Sequence, residues 1–324
     1  MKRGIARIVL SLLGTVTLMG CQQPPDKEAV IESKPFSHLS ELDIVEMVPT
    51  RAPDARVRYD EHPLTFGNLR LPDGATGKDS PLVILIHGGQ WESSFTLDYM
   101  EPLAEALTEA GVATWNIEFR RLNNPGGGYP GMFHDVSNGI DFARQLAQNY
   151  PIDAERIVLL GHSSGGHLAA WAAGRQNLPQ DSELLDSDPL PVRGIVDLAG
   201  VLDLEYAYSA GRTDILEVVG VGNGEELGRL ATEVSPIELF PRGIPQTLVI
   251  GSDDSPWRLE SQERYKTRGE TEGDVLDLIV LDGANHFDVV DPCTEAWTPI
   301  ATAVFEYLDE SLDSAESSNP VCAR

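Results

Sequence analysis

Cysteine is scarce in this chain of 324 residues, limited to Cys21, Cys293 and Cys322. Basic residues are few beside acidic ones: 24 Lys+Arg stand against 51 Asp+Glu, a formal net charge of −27 at pH 7. Nucleic acids and anionic membranes both repel a polyanion, so the charge argues strongly against binding to the former and electrostatic attachment to the latter. No loop of the D-x-[DN]-x-[DN]-G type is present, so the carboxylates read as dispersed solubilising charge, and neither a metal nor another cofactor is expected. Internal repeats and low-complexity arrays are also missing, which leaves one folded domain. The apolar stretch Ile8 to Met19 falls short of the roughly 20 residues that a spanning helix needs.

That stretch follows Lys2 and Arg3 and ends at Gly20-Cys21, the pattern of a secretory signal. Leu18-Met-Gly-Cys21 resembles the lipobox of bacterial lipoproteins, which implies lipidation of Cys21 and attachment to the membrane only through that anchor. The resemblance, with no aspartate after the cysteine, implies an outer-membrane or periplasmic location at the cell envelope. Residues 1–20 are then signal and 21–55, with Pro24, Pro25, Pro35, Pro49 and Pro53, a flexible tether. The domain proper is expected over 56–312, with a polar tail at 313–324. Export would put Cys293 and Cys322 in an oxidising compartment, where a bridge between them would tie down the tail and contribute on the order of 3–4 kcal/mol.

From Arg56 onward apolar runs alternate with amphipathic ones, the mark of an α/β fold with a mainly parallel sheet covered by helices. Strands are expected at Leu82–His87, Val112–Phe119, Arg156–Leu160, Val192–Leu198, Gln246–Ile250 and Val275–Leu281. Helices are expected at Leu97–Ala110, Met132–Asn149, Arg258–Lys266 and Thr294–Leu312. The stretch 201–241 reads as an irregular cap segment. Gly126-Gly-Gly-Tyr-Pro-Gly131 matches G-x-G-x-x-G, but Asn123-Asn-Pro125 separates it from the preceding strand, and Asp153 precedes a strand instead of ending one. It is read as a mobile loop near the mouth of a site.

The chemistry centres on Gly161-His-Ser-Ser-Gly165, a G-x-S-x-G pentapeptide between a strand and a helix. On the order of 0.1 such matches occur by chance in a chain of this length, so its context decides. A serine hydroxyl needs a sharp turn, a base and oxyanion donors before it reacts. Of the seven histidines, His87 and His162 belong to the two backbone motifs and shape their turns, whereas His286 follows the apolar strand Leu278–Leu281 in the loop Gly283-Ala-Asn-His-Phe-Asp288 and is the candidate base. Asp253 and Asp254 follow the strand Gln246–Ile250 and compete for the orienting acid, with Asp203 a weaker third. Oxyanion donors are expected from Ser164 and from Gly89 or Gln90 in His87-Gly-Gly-Gln-Trp91. Trp91, Tyr206 and Tyr208 are candidate pocket residues, with core packing the alternative for each.

Together with Ser235-Pro-Ile-Glu-Leu239, Asp254-Ser-Pro256 and Asn285-His-Phe-Asp288, these motifs resemble the α/β-hydrolase fold, in its kynurenine formamidase-like and carboxylesterase-like branch with an H-G-G-x-W loop. The resemblance covers about 56–312. It implies Ser163 as nucleophile, Asp254 as the acid and His286 as the base, acting through an acyl-enzyme on a small-molecule ester or aryl amide. An exported carboxylic ester hydrolase is the leading expectation and an aryl formamidase the alternative. A surface binding protein on a lapsed hydrolase scaffold is the remaining reading, disfavoured because no triad member is missing. Acyl length, leaving group and oligomeric state are not readable.

Overall fold

Eight strands form one sheet in the order β1-β2-β4-β3-β5-β6-β7-β8 in the computed structural model, which describes residues 36–77, 80–240, 242–312 and 322. The strands are β1 (Ala55–Arg58), β2 (Phe66–Arg70), β3 (Ser80–Ile86), β4 (Ala113–Ile117), β5 (Ile152–His162), β6 (Gly194–Leu198), β7 (Gln246–Gly251) and β8 (Leu276–Leu281). β2 runs antiparallel to β1 and β4, and all later pairings are parallel. β3, β4 and β6 are buried along their whole length, as unbroken apolar runs require when helices cover both faces.

The alternation of side chains splits each central strand between two cores. Leu82, Ile84 and Ile86 of β3 join Ile157 and Leu159 of β5 on one face, while Val83 and Leu85 join Val158 and Leu160 on the other. The first face is covered by α3 (Gly131–Asp141), α4 (Ala143–Asn149) and α5 (Ser164–Gly174), following α1 (Glu41–Glu46) and α2 (Glu101–Glu109) in the chain. α1 and α2 pack on the second face with the last helix. Between them in sequence lie α6 (Leu204–Ser209), α7 (Ile215–Val218), α8 (Gly224–Val234), α9 (Pro256–Glu272) and finally α10 (Trp297–Tyr307).

Three expectations need correction. The single helix expected over 132–149 breaks at Phe142 into α3 and α4, where the Trp115 indole N–H donates to the Gly139 carbonyl at 2.9 Å. The stretch 201–241 holds three short helices, two of them started by side-chain caps: Asp203 accepts from Tyr206 N and Asn223 from Glu226 N. The part of the tether at 36–55 is folded. Ser40 and Asp43 form a reciprocal capping box that starts α1, and Ile44 is fully buried in the second core. The expected signal at 1–20, Cys21, the tether at 21–35 and most of the tail lie outside the described residues. Cys293, in the loop before α10, is bonded to Cys322.

Candidate active site

Four strand ends converge on one point. β5 delivers Ser163, which stands between β5 and α5 at φ 56°, ψ −119° and is 5% exposed. A non-glycine residue held there costs about 1–3 kcal/mol, so the surroundings must enforce it. They do so by close approach: a Cβ on Gly165 would lie 2.0 Å from the Ile86 carbonyl oxygen at the end of β3. Only glycine lets α5 start so near the neighbouring strand, which explains the pentapeptide physically.

β8 leads into the loop that carries His286, whose Nε2 lies 3.0 Å from Ser163 Oγ and whose Nδ1 lies 2.7 Å from Asp254 Oδ2. The carboxylate accepts from Nδ1–H, so Nε2 is left to accept from the serine hydroxyl. Asp254 Oδ1 accepts from Ser255 N–H at 2.5 Å and from Arg258 Nη1 at 2.9 Å. Burial pushes Asp254 up, but the hydrogen bond from His286, the charges of His286 and Arg258 and the Ser255 amide together hold it far below the usual carboxylate range. For His286, burial and the charge of Arg258 outweigh the pull of Asp254 and lower its pKa. Of the three aspartates left open in the sequence, Asp254 is the one bonded to His286; Asp253 is half-exposed and pairs with His38, while Asp203 caps α6 and pairs with Arg264.

The His286 loop is held from the N-terminal side. Leu39 N–H donates to Asp288 Oδ1 at 3.1 Å, and Asn285 Nδ2 donates to the Leu39 carbonyl at 2.8 Å, so these contacts bracket His286. Nothing in the composition of this stretch marked it as part of the site. The available signal was the S-x-x-D spacing of Ser40 and Asp43.

β3 ends in His87-Gly-Gly-Gln-Trp91, where Gly89, Gln90 and Trp91 have φ of 111°, 58° and 58°. Gly88 N–H donates to Tyr99 Oη at 2.5 Å and Trp91 N–H to Ser164 Oγ at 3.2 Å, and Gly89 and Gln90 between them line the cavity. Behind them, His87 stacks on Phe119 at 4.5 Å and lies 3.2 Å from Glu118, which also accepts from Leu97 N–H and pairs with Arg121. Burial drives Glu118 up, but His87 and Arg121 hold it below the usual range.

His162 links the two loops. Burial and the nearby His286 push its pKa well below an ordinary histidine's, so it is neutral and carries one proton. Its Nε2–H donates to the His286 carbonyl at 3.0 Å, and Nδ1 accepts from Tyr99 Oη at 2.9 Å. Tyr99 in turn accepts from Gly88, so one relay fixes the His87–Trp91 loop and the histidine loop to the serine strand. Tyr99 escaped sequence reasoning because its segment reads as plain amphipathic helix.

A cavity of about 390 Å³ opens over Ser163 and His286, walled by Ile44, Phe95, Trp257 and Phe287. The three aromatic pocket candidates lie elsewhere. Trp91 is 1% exposed, and its indole donates to His167 Nδ1 at 3.1 Å, a histidine that burial lowers to about 4. Tyr208 packs on the first core, and Tyr206 faces a separate open groove beside Arg264. None of the Gly126–Gly131 loop lines the cavity; Tyr129 N–H is tied to the Val218 carbonyl at 2.9 Å.

A parallel sheet with a strained serine between β5 and α5 defines the class: this is the α/β-hydrolase fold. A truncated carbohydrate esterase from gut microbiota superposes with a TM-score of 0.68 at 21% identity, covering 82% of this chain and 100% of that one. Esterase B of Lactobacillus rhamnosis gives 0.66 at 18% identity, covering 80% and 88%. Residues 68–261, more than half the chain, match the BD-FAE family model, and the chain belongs to that family. Among curated relatives, a probable isoprenylcysteine alpha-carbonyl methylesterase of Oryza sativa is 33% identical over 82% of this chain and 63% of its own length. Esterase LipC of Mycobacterium tuberculosis is 28% identical over 77% and 64%, and kynurenine formamidase of Salmo salar 27% identical over 67% and 69%. The chain thus spans under two-thirds of the length of the esterase and methylesterase relatives.

Proposed function

We propose that this protein is an exported serine hydrolase that cleaves carboxylic esters through an acyl-enzyme. The observation that carries the reading is the unbroken chain of hydrogen bonds from Ser163 through His286 to Asp254 beside the cavity. Ser163 Oγ attacks the ester carbonyl while its proton passes to His286 Nε2, and Asp254 holds the ring and stabilises the imidazolium. The charge that forms on the carbonyl oxygen meets the N–H of Ser164 and of Gly89 or Gln90. Collapse expels the alcohol, which takes the proton from His286. Water, deprotonated by the same nitrogen, then attacks the acyl-enzyme, releasing the acid and regenerating Ser163.

The names of the relatives support the reaction class, since esterases and methylesterases predominate among those described. One of them favours a second reading, hydrolysis of an aryl formamide, because kynurenine formamidase aligns over 69% of its length. The apparatus is the same for both; export disfavours a cytoplasmic amide substrate. A fluorophosphonate probe is expected to label the wild type and not Ser163→Ala. Absence of labelling on folded wild-type protein overturns the mechanism. Turnover of N-formylkynurenine without turnover of p-nitrophenyl esters reverses the order of the two substrates.

The same proposal places the protein at the cell envelope, anchored by a lipid on Cys21. Supporting it are the basic start, Leu18-Met-Gly-Cys21, and the Cys293–Cys322 bond, which an oxidising compartment sustains. Cys21→Ser is expected to move the protein from the membrane to the soluble fraction.

A further inference from the structure

One wall of the catalytic cavity carries two guanidinium groups, in a protein whose net charge is −27. Arg212 comes from the loop between α6 and α7, and Arg258 from the first turn of α9. Trp257 lies against both: the Arg258 Cζ is 4.5 Å from its ring centroid and the Arg212 Cζ is 5.4 Å away. Cation–π contact with a flat ring fixes the planes of both groups without consuming their N–H donors.

Each arginine is oriented by a carboxylate on one edge only. Arg212 Nε and Nη2 donate to Asp214 at 2.9 and 2.5 Å. Arg258 Nη1 donates to Asp254 at 2.9 Å and to Ser255 Oγ at 3.3 Å. Arg212 Nη1 and Arg258 Nη2 have no partner among the described residues. Arg258 is 7% exposed, so its charge is poorly hydrated and is worth more to an incoming anion than a surface arginine would be. The charges that oppose an anion here are weakly placed. Glu41 reaches the cavity from an exposed position on α1, where solvent and salt screen it, and Asp254 is already shared between His286 and Arg258.

We propose that this wall recognises a carboxylate on the substrate, so that the preferred esters are those bearing a second, free carboxyl group on the acyl or the alcohol side. The inference rests on the ester-hydrolase reading and adds the substrate class. A planar carboxylate suits guanidinium edges held against a flat ring beside the same cavity, where it can accept charge-assisted hydrogen bonds.

Two substrate series test it at pH 8, where His286 is neutral. Monomethyl succinate, glutarate and adipate are compared with methyl butyrate, valerate and hexanoate. The acetate ester of 3-hydroxybutyrate is compared with the acetate of 2-butanol. In at least one series the anionic ester is expected to show about 10-fold higher kcat/KM, expressed mainly in KM. Arg212→Gln is expected to raise KM for that anionic ester about 10-fold more than for its neutral counterpart, with Arg212→Lys between the wild type and Arg212→Gln. Equal turnover of neutral and anionic esters by the wild type overturns the proposal, as does an equal effect of Arg212→Gln on both. Those outcomes leave the ester-hydrolase reading standing, whereas no turnover of any ester together with no fluorophosphonate labelling overturns both.

Discussion

The two flanks of Ser163 are built from opposite materials. On the β3–β4 flank the proposed oxyanion donors are backbone amides of Gly89 and Gln90, and side chains stand behind their loop: Tyr99 on Gly88, and His87, Glu118 and Arg121 packed beneath. On the β7–β8 flank the His286 side chain faces the cavity, with the Asp254 carboxylate behind it held by Ser255 N–H and Arg258, and the backbone of Leu39 tied to the residues that bracket His286. A side chain in the reacting position is removed cleanly by substitution. A backbone donor is not, and is reached only by disturbing what holds it.

The contrast predicts two different mutational signatures. Asp254→Asn leaves the shape of the acid side intact but removes the charge that orients Nδ1–H and stabilises the imidazolium. It is expected to lower kcat by about 10⁴-fold with little change in melting temperature. Asp253→Asn, one residue away and half-exposed, is expected to leave kcat within about 2-fold; equal losses in the two variants break the assignment of the acid. Glu118→Gln is expected to cost both stability and activity. The carboxylate accepts from Leu97 and Phe119 N–H and pairs with His87 and Arg121, so a glutamine NH₂ must face a donor in either orientation. Destabilisation of about 3–5 kcal/mol is expected by denaturant titration, with kcat reduced about 10- to 100-fold as the loop bearing the proposed oxyanion donors shifts. A loss of kcat without loss of stability would move Glu118 from support to direct chemistry.

The same contrast explains what could be read in advance. Ser163, His286 and the strands that deliver them were legible because apolar runs end in short polar motifs, and a parallel sheet places such ends together. Gly89, Gln90 and Ser164 were legible as a motif, since close backbone approach leaves glycines in the sequence. The groups behind them were not. Tyr99, Glu118 and Arg121 each look like an ordinary residue of a helix or strand end, and their roles arise from contacts between residues far apart in the chain. The N-terminal stretch misled because proline and polar residues suggested a solvated tether, whereas Ile44 and the Ser40 box dock it on the second core. Trp91 and Tyr208 were drawn to the pocket by their aromatic character, although burial of a large ring under a loop satisfies the same sequence.

The smallest effect expected tests how the charged wall of the cavity reaches the base. His286 must be neutral to accept the proton from Ser163, so kcat/KM falls as pH falls through its pKa. Burial and Arg258, with Arg212 further off, push that pKa below the ordinary 6.5, against the hydrogen bond and charge of Asp254; the neighbouring ring, His162, stays neutral. The acid limb of the profile for a neutral ester is therefore expected below pH 6.5. Arg212→Gln removes one positive charge that disfavours the imidazolium, so the limb should move to higher pH by a fraction of a unit, with the plateau above it unchanged. A limb at or above 6.5 in the wild type, or a downward shift in the variant, would mean that Asp254 outweighs the arginines and that the two flanks are electrostatically more alike than their materials suggest.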